Sequence, residues 1–283
     1  MSDKPTGRIV PMTSLASGAG HAVLPDVYCL PVQIVNVSFI GGTDSKDWVL
    51  IDAGVAKSGK KIIEEAEERF GTDNPPKAII LTHGHFDHVG AIDELLEKWQ
   101  VPVYAHKEEL PYLTGKESYP EPDPGVEGGG VAKISKYFPN EPIDISGSVK
   151  PLPENDSVPF LPGWEWVHTP GHTKGHISLF RQSDKVLIAG DAFVNVRQDS
   201  IYKVITQQRE INGPPPYFTP DWKSARESVK ILNELKPEAA ITGHGWPLVG
   251  EELTEGLEKL ADDFDRIAVP EKGKYVEKNK KGD

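Results

Sequence analysis

Thr82-His83-Gly84-His85-Phe86-Asp87-His88-Val89-Gly90 is the stretch on which the fold turns. Three histidines and an aspartate fall between positions 83 and 88. The run before it, Lys77-Ala78-Ile79-Ile80-Leu81, is short and apolar, as a buried strand would be. The run after it, Ala91 to Trp99, has apolar residues at helical spacing. The histidine-rich turn is therefore expected where a strand hands over to a helix, and loops on a rigid scaffold are where sites tend to be built. Neutral imidazole and carboxylate oxygen both ligate divalent transition metals. In an extended turn, alternation brings His83, His85 and Asp87 to one side, and His88 follows at once. That is more donors than one metal would use, so the turn reads as half of a two-metal site. A solvated histidine-rich loop is the plainer alternative, and four ligand-type residues so placed weigh against it.

Working outward, 283 residues give room for one large α/β domain or two small ones with ample core. The 27 glycines and 25 prolines imply much loop between elements. A net charge of −12 disfavours nucleic acid, whose phosphates need a basic face. Cys29 is the only cysteine, which excludes an intramolecular disulfide and points to a reducing compartment. The N-terminal residues lead into no apolar signal region, and no run is long enough to span a bilayer. The expectation is a soluble, cytoplasmic protein acting on a small molecule, without nucleic-acid or membrane partners and with a homodimer left open.

Taken in order, residues 1–26 read as an N-terminal arm, Gly/Ser/Pro-rich up to about Val23. One domain is expected over 27–269, followed by a charged tail over 270–283. Val27–Ile40 is β-rich, Asp47–Ile51 is a further strand, and Lys60–Phe70 is a helix with Ile62, Ile63, Ala66 and Phe70 on one face. Val101–Ala105 is a short strand. The segment from about 106 to 162 is the least regular, rich in proline and interrupted by Gly128-Gly129-Gly130. A connection that long is usually functional or a mobile insertion. Its Tyr112, Tyr119, Tyr137 and Phe138 could wall a pocket or anchor the insertion. Strands follow at Trp164–His168, His176–Gln182 and Lys185–Ala189, with little signal from Val194 to Pro220. A helix at Asp221–Leu235, a strand at Glu238–Thr242 and a closing helix at Glu251–Ile267 complete the chain. Strands and helices alternate in each half, which favours four layers, with helices covering two mixed β-sheets.

Each later strand runs into groups that could bind a metal. Trp164 onward leads to His168-Thr169-Pro170-Gly171-His172-Thr173-Lys174-Gly175-His176. Lys185–Ala189 leads to Gly190-Asp191, and Glu238–Thr242 leads to Gly243-His244-Gly245. Ligands emerging from several strand ends on one side of a scaffold are what a deep site needs. The ordered set H-G-H-F-D-H, T-P-G-H-T-K-G-H, A-G-D and T-G-H-G resembles the signature of the metallo-β-lactamase-fold hydrolases, and Asp52 in L-I-D-A-G resembles that family's first motif. The likeness runs from about Val27 to Glu251, leaving the N-terminal arm, the long insertion and the tail unmatched. It implies an αββα sandwich of that type and two metals. His83, His85 and His172 would hold one; Asp87, His88 and His244 would hold the other; Asp191 would bridge them. Asp87 and Asp191 are thereby expected to be catalytic as well. Five neutral imidazoles and two carboxylates would leave a two-Zn²⁺ site net positive, so a bridging water would deprotonate near neutral pH. Zinc is the first expectation, with iron or manganese as alternatives.

The remaining candidates have plainer readings. His176 and His168 are expected to be structural, His106 and His21 bland, Cys29 a small buried apolar residue, and Asp52 hydrogen-bonded near the metal loops. Within the family, the disulfide-containing β-lactamases carry a cysteine ligand where this chain has Asp191, and the flavin-linked di-iron branch has a glutamate at the position of His85. The nucleic-acid-processing branch fits the charge balance poorly. Persulfide dioxygenases resemble the chain in motif but use a single iron. The lactonase group uses a tyrosine soon after the bridging aspartate; here Ala192-Phe193-Val194-Asn195 follows Asp191, and only Tyr202 or Tyr217 could substitute. The resemblance therefore implies a dinuclear hydrolase of a small ester, lactone or thioester, in the glyoxalase II and lactonase-like branch, acting through a metal-bridging hydroxide. A mononuclear iron dioxygenase and an organophosphate or phosphoester hydrolase are the alternatives.

Overall fold

The β-rich stretch at Val27–Ile40 folds into two antiparallel strands around Gln33, whose φ of +59° makes the turn. The computed structural model of the chain describes residue 14 and residues 17–126, 130–196 and 209–281. Strands β1 (His21–Leu24), β2 (Val27–Val32), β3 (Val35–Ile40), β4 (Val49–Ile51), β5 (Ile79–Ile80), β6 (Val103–Ala105) and β7 (Val149–Pro151) form a seven-stranded sheet in that order. Pairing is antiparallel from β1 to β4 and parallel from β4 to β7. A second sheet uses β8 (Trp164–His168), β9 (Ile177–Arg181) and β10 (Val186–Gly190). A two-stranded ribbon of β11 (Val194–Val196) and β12 (Arg209–Asn212) follows, before β13 (Ala239–Thr242) and β14 (Leu248–Val249) rejoin that second sheet. Its order is β14-β13-β10-β9-β8, with β10 and β13 the parallel pair.

Strand residues alternate between layers, so a run apolar on both sides is buried on both sides. Ile80, Ile51, Val27 and Cys29 face Ile177, Leu179, Val186 and Ile188 in the core between the sheets. Their neighbours Ile79, Leu50 and Leu30 turn outward against Ile62, Ala66 and Phe70 of the Gly59–Phe70 helix and Ile92 and Leu95 of the Ile92–Trp99 helix. On the other side, Leu187 and Ala240 meet Ala225, Val229 and Leu232 of the Trp222–Glu234 helix and Leu253, Leu257 and Leu260 of the Gly250–Asp262 helix. Asp221 caps the former, its carboxylate accepting from the Ser224 amide at 2.9 Å, which is why that helix starts there. The expected αββα sandwich is what forms.

Local expectations differ in four places. The arm expected over 1–26 contains β1, an edge strand too short to show a pattern. The 106–162 segment contributes β7 to the sheet; with Pro151 in it, β7 sits at the edge, where a missing amide does no harm. The closing helix breaks at Asp263, whose φ of −122° and ψ of 34° leave the helical region, and a short Phe264–Ile267 helix follows. The charged tail carries a Lys274–Lys281 helix. Val276 buries beneath it, the Lys274 amide donates to Asp123 at 2.6 Å and the Tyr275 hydroxyl donates to the Glu121 carbonyl at 2.6 Å. No helix among the described residues is long and apolar enough to cross a membrane.

Candidate metal centre

The ends of strands from both sheets converge. β5 delivers Thr82 and His83, and the short Phe86–Val89 helix that follows carries Asp87 and His88. β10 delivers Asp191, β13 delivers His244, and the loop between β8 and β9 delivers His172. Backbone bonds lock the junctions: the Ile177 amide donates to the Thr82 carbonyl at 3.0 Å, and the Gly243 amide to the Gly190 carbonyl at 2.7 Å. Asn36 on β3 donates its side-chain amide to the Thr242 and Gly245 carbonyls at 2.8 and 2.7 Å, fastening the His244 turn to the first sheet.

All seven residues singled out in the sequence are brought together and buried. Within each of three sets, the donor atoms lie within 4.8 Å of one another: His83, His85 and His172; Asp87, His88 and His244; and His83, His88 and Asp191. His85 Nδ1 faces His172 Nε2 at 2.9 Å. Asp191 lies in the middle: one oxygen is 3.4 Å from His172 Nε2 and 3.3 Å from His244 Nε2, the other 3.6 Å from His88 Nε2. His244 Nε2 is also 3.5 Å from Asp87 Oδ2. His83 Nε2, His88 Nε2 and Asp191 Oδ1 are buried without a hydrogen-bond partner. Leaving polar atoms so costs on the order of 1–3 kcal/mol each, and a cation among them removes that cost. The residues fit divalent metal ions.

The ring nitrogens turned away from the centre are mostly anchored, which fixes each imidazole's orientation. Asp52, held in the left-handed region at φ +62°, accepts from the Thr82 amide and hydroxyl and bonds His88 Nδ1, each at 2.8 Å. The Thr82 hydroxyl also reaches His83 Nδ1 at 3.2 Å. His244 Nδ1 donates to the Ile34 carbonyl at 2.7 Å, leaving its Nε2 lone pair for the centre. His172 Nδ1 lies 3.5 Å from the Thr219 hydroxyl. His176 Nε2 accepts from the Asp191 amide at 2.9 Å while its Nδ1 bonds the Thr169 hydroxyl at 2.8 Å. Both of its nitrogens are engaged, so it holds the Asp191 backbone in place.

Electrostatics divide the site. Burial pulls His85 down to about 3 and depresses His83 and His172 in the same direction, keeping that corner neutral. At His88 burial also acts downward, but the Asp52 and Asp191 carboxylates override it and raise the pKa well above the usual value. His244 is raised in the same way, with Asp191 the main opposing charge. For Asp191 burial acts upward and is outweighed by His244 and His88, which hold it well below the usual carboxylate range. Burial raises Asp87.

Other candidates fall where they have plainer work. His106 stacks on His168 at 4.2 Å between ring centres, with Glu108 alongside. His21 packs edge-on against Trp246 at 4.4 Å. Cys29 is buried between the sheets, and burial raises its thiol pKa. Of the four aromatics of the 106–162 segment, Tyr119 lies 4.5 Å from the His85 ring, Tyr112 stacks behind Tyr119 at 4.0 Å, and Phe138 packs 5.5 Å from Phe86. Tyr137 is 60% exposed and takes no part. Tyr217 packs beside Phe218 in this aromatic group, whereas Tyr202 lies outside the described residues.

Sequence reasoning missed three contributors. Phe218 stacks on His85 at 4.6 Å, from a segment with poor signal. The Ile34 carbonyl is a backbone group and has no sequence signature. Glu109 is wholly buried beside the site yet stands in the charged run Lys107-Glu108-Glu109, which reads as surface.

Residues 30–244 match the family model described as the metallo-beta-lactamase superfamily. The chain belongs to that superfamily. A Bacillus subtilis (strain 168) protein called probable metallo-hydrolase YflN is 52% identical over 259 residues, 91% of this chain and 98% of that protein. Hydroxyacylglutathione hydrolase GloC of Haemophilus influenzae is 32% identical over 148 residues, 52% of this chain and 62% of that protein. Among solved structures, TTHA1623 in a di-iron-bound form aligns with a TM-score of 0.51 at 27% identity, covering 82% of this chain and 96% of that one. The superfamily likeness extends, as fold alone, to the B3 metallo-beta-lactamase BLEG-1, with a TM-score of 0.53 at 24% identity over 80% of this chain and 92% of that one.

Proposed function

We propose that this metallo-hydrolase holds two divalent ions and cleaves a small ester, lactone or thioester. His83, His85 and His172 would hold the first ion and Asp87, His88 and His244 the second, with Asp191 facing both. The reading rests on one observation: the His83-His88-Asp191 donor set shares His83 with one flanking set and His88 with the other, and three of its donor atoms are buried and otherwise unpaired. A pair of divalent ions, with zinc the first candidate and iron or manganese the others, supplies Lewis acidity toward a carbonyl oxygen and a water acidic enough to attack near neutral pH. Asp87 and Asp191 carry the donor set's two carboxylates, so they set the charge that this water experiences, and on that ground they take the catalytic assignment. Asp52, Thr82, Ile34 and His176 keep the donors aimed without reorganisation during the reaction. Phe86, Phe138, Phe218 and Tyr119 form an apolar wall beside His85, which excludes water and suits an uncharged acyl or leaving group. The likeness to a hydroxyacylglutathione hydrolase supports the thioester within that set.

The test is metal analysis of the purified chain, followed by a screen of p-nitrophenyl esters, lactones, thioesters and phosphotriesters. About two ions per chain and turnover of a carbonyl ester or thioester are expected. A single iron with oxygen uptake on a thiol-derived substrate would replace the proposal with a dioxygenase. Turnover confined to phosphotriesters would replace it with a phosphoester hydrolase.

A further inference from the structure

Glu109 lies outside the donor set and is fully buried, and its two carboxylate oxygens reach both histidine-bearing loops of one corner of the site. Oε2 accepts from the Gly84 amide at 3.1 Å, between His83 and His85, and also meets the Tyr119 hydroxyl. Oε1 accepts from the Thr173 hydroxyl at 2.5 Å and the Gly175 amide at 3.0 Å, just after His172. A carboxylate offers about four acceptor positions, and all are taken by these four groups. The chain also makes room for the contact. A Cβ on Gly175 would come within 2.7 Å of the Glu109 amide nitrogen, and one on Gly84 within 2.5 Å of the Tyr119 hydroxyl. The His172 loop thus approaches Glu109, and the His83–His85 turn approaches the Tyr119 hydroxyl that Glu109 holds, more closely than any larger residue would allow. Tyr119, held by Glu109, in turn packs against the His85 ring.

We infer that Glu109 is a positioning residue that ties the His83–His85 turn to the His172 loop and so assembles the three-histidine metal position. The inference rests on the two-metal reading above. The other position does not depend on it, because His88 is oriented by Asp52 and His244 by the Ile34 carbonyl. Glutamine is the informative replacement, since it keeps the shape and removes the charge. Whichever way its amide lies, an N–H faces a backbone N–H, that of Gly84 or that of Gly175, and one loop loses an acceptor.

The experiment measures zinc content of the full chain after dialysis against graded chelator, for wild type, Glu109→Gln and Glu109→Asp, alongside melting temperature and ester kinetics. Glu109→Gln should keep one ion and bind the other on the order of 10–100-fold more weakly, as loss of a partner behind a metal ligand commonly does. kcat should fall by a larger factor than KM changes, because the change acts first on the metal position and reaches the aromatic wall only through Tyr119. Glu109→Asp, with a carboxylate but a shorter reach, should fall between the two. Adding His244→Ala to Glu109→Gln should remove the ion that is kept, whereas adding His172→Ala should remove nothing further. A folded Glu109→Gln that holds both ions at wild-type affinity would overturn the inference. If that variant does not fold, Thr173→Val and Tyr119→Phe decide instead: at least one must weaken the first ion several-fold, and wild-type retention in both overturns the inference. A wild type with only one ion, itself lost in Glu109→Gln, would sink the two-metal reading and leave the role of Glu109 standing.

Discussion

Among the described residues, two groups of stacked or crossing histidine rings are alike in proximity, which alone does not tell them apart. His83, His85 and His172 form one; His106 and His168, with Glu108, form the other, and each satisfies the same donor spacing of 4.8 Å. Ring geometry separates them. In the first cluster the planes cross at 88°, 82° and 89°, so in-plane lone pairs can converge on a point. In the second the two rings stack 21° apart at 4.2 Å, and their lone pairs run side by side. The bonding agrees. His83 Nε2 is buried with no partner, whereas His168 Nε2 donates to the Lys174 carbonyl at 2.8 Å and His106 Nδ1 accepts from the Glu108 amide at 3.4 Å. A metal site is marked by donors left waiting; a structural cluster has already spent them on the protein.

The sharpest way to break that contrast is to remove the carboxylate that faces both halves of the first cluster's site. Asp191→Ala should lose at least one ion and lower kcat by about a hundredfold or more, the scale of removing a preorganised electrostatic group. Metal analysis and ester turnover check both. Full metal content with undiminished rate would refute the place given to Asp191.

The two halves should then separate in His244→Ala. Its Nε2 reaches Asp87 and Asp191, while His83, His85 and His172 keep their own contacts. One ion should weaken by about 10–100-fold and the other by far less. Titration with a metal-sensitive dye would resolve the two, and equal loss of both, or of neither, counts against the division.

The seven residues that converge were legible as candidates because each follows a strand end in a short polar motif, where a buried strand pattern makes a histidine or aspartate conspicuous. The layered sandwich was legible for a related reason: in Lys77–Leu81 and Lys185–Ala189 continuous apolar runs mark strands covered on both faces. What stayed hidden lacks a local signal. Glu109 looks like one charge among several until folding buries it against two loops 25 and 66 residues distant in sequence. The Ile34 carbonyl acts through its backbone, which every residue carries. β7 and β12 are short edge strands, one containing a proline and the other Arg209 and Glu210, so alternation had nothing to register.

A smaller effect is expected at the wall, where the sequence could not choose between pocket and anchor. Phe138 packs on Phe86 and Phe218 beside His85, while Tyr137 next to it is exposed. Phe138→Ala should change the ratio of kcat/KM between a small and a bulky ester by roughly tenfold, the scale of a pocket contact worth about 1–3 kcal/mol. Tyr137→Ala should leave that ratio unchanged, and metal content should be unaltered in both. A change in assembly mass by light scattering with constant rate ratios would instead make this segment a subunit contact.

The smallest effect belongs to the second cluster and asks whether it is structural as its bonding implies. His168→Ala and His106→Gln should leave the number and affinity of bound ions at wild-type values, since neither ring has a lone pair aimed at a shared point. The signature of His106→Gln should appear in pH instead. Burial, reinforced by His168, pulls His106 down to about 4, below its usual value of about 6.5. Below about pH 6.5 the unfolded chain therefore takes up a proton at this position that the folded chain resists, so stability falls as pH drops from 6.5 toward 4. Glu108, partly exposed, acts in the opposite sense and Lys107 in the same sense as His168. Because His168 and Glu108 beside it are partly exposed and water screens them, the expected size is about 1 kcal/mol, or ~2 °C in melting temperature for a chain of this length. With zinc in excess, His106→Gln should match wild type near pH 7.5 and lose about that much less on going to pH 5.5. Parallel melting curves at the two pH values would show that the ring is not held neutral by its burial, and loss of a bound ion in either variant would erase the distinction between the two clusters.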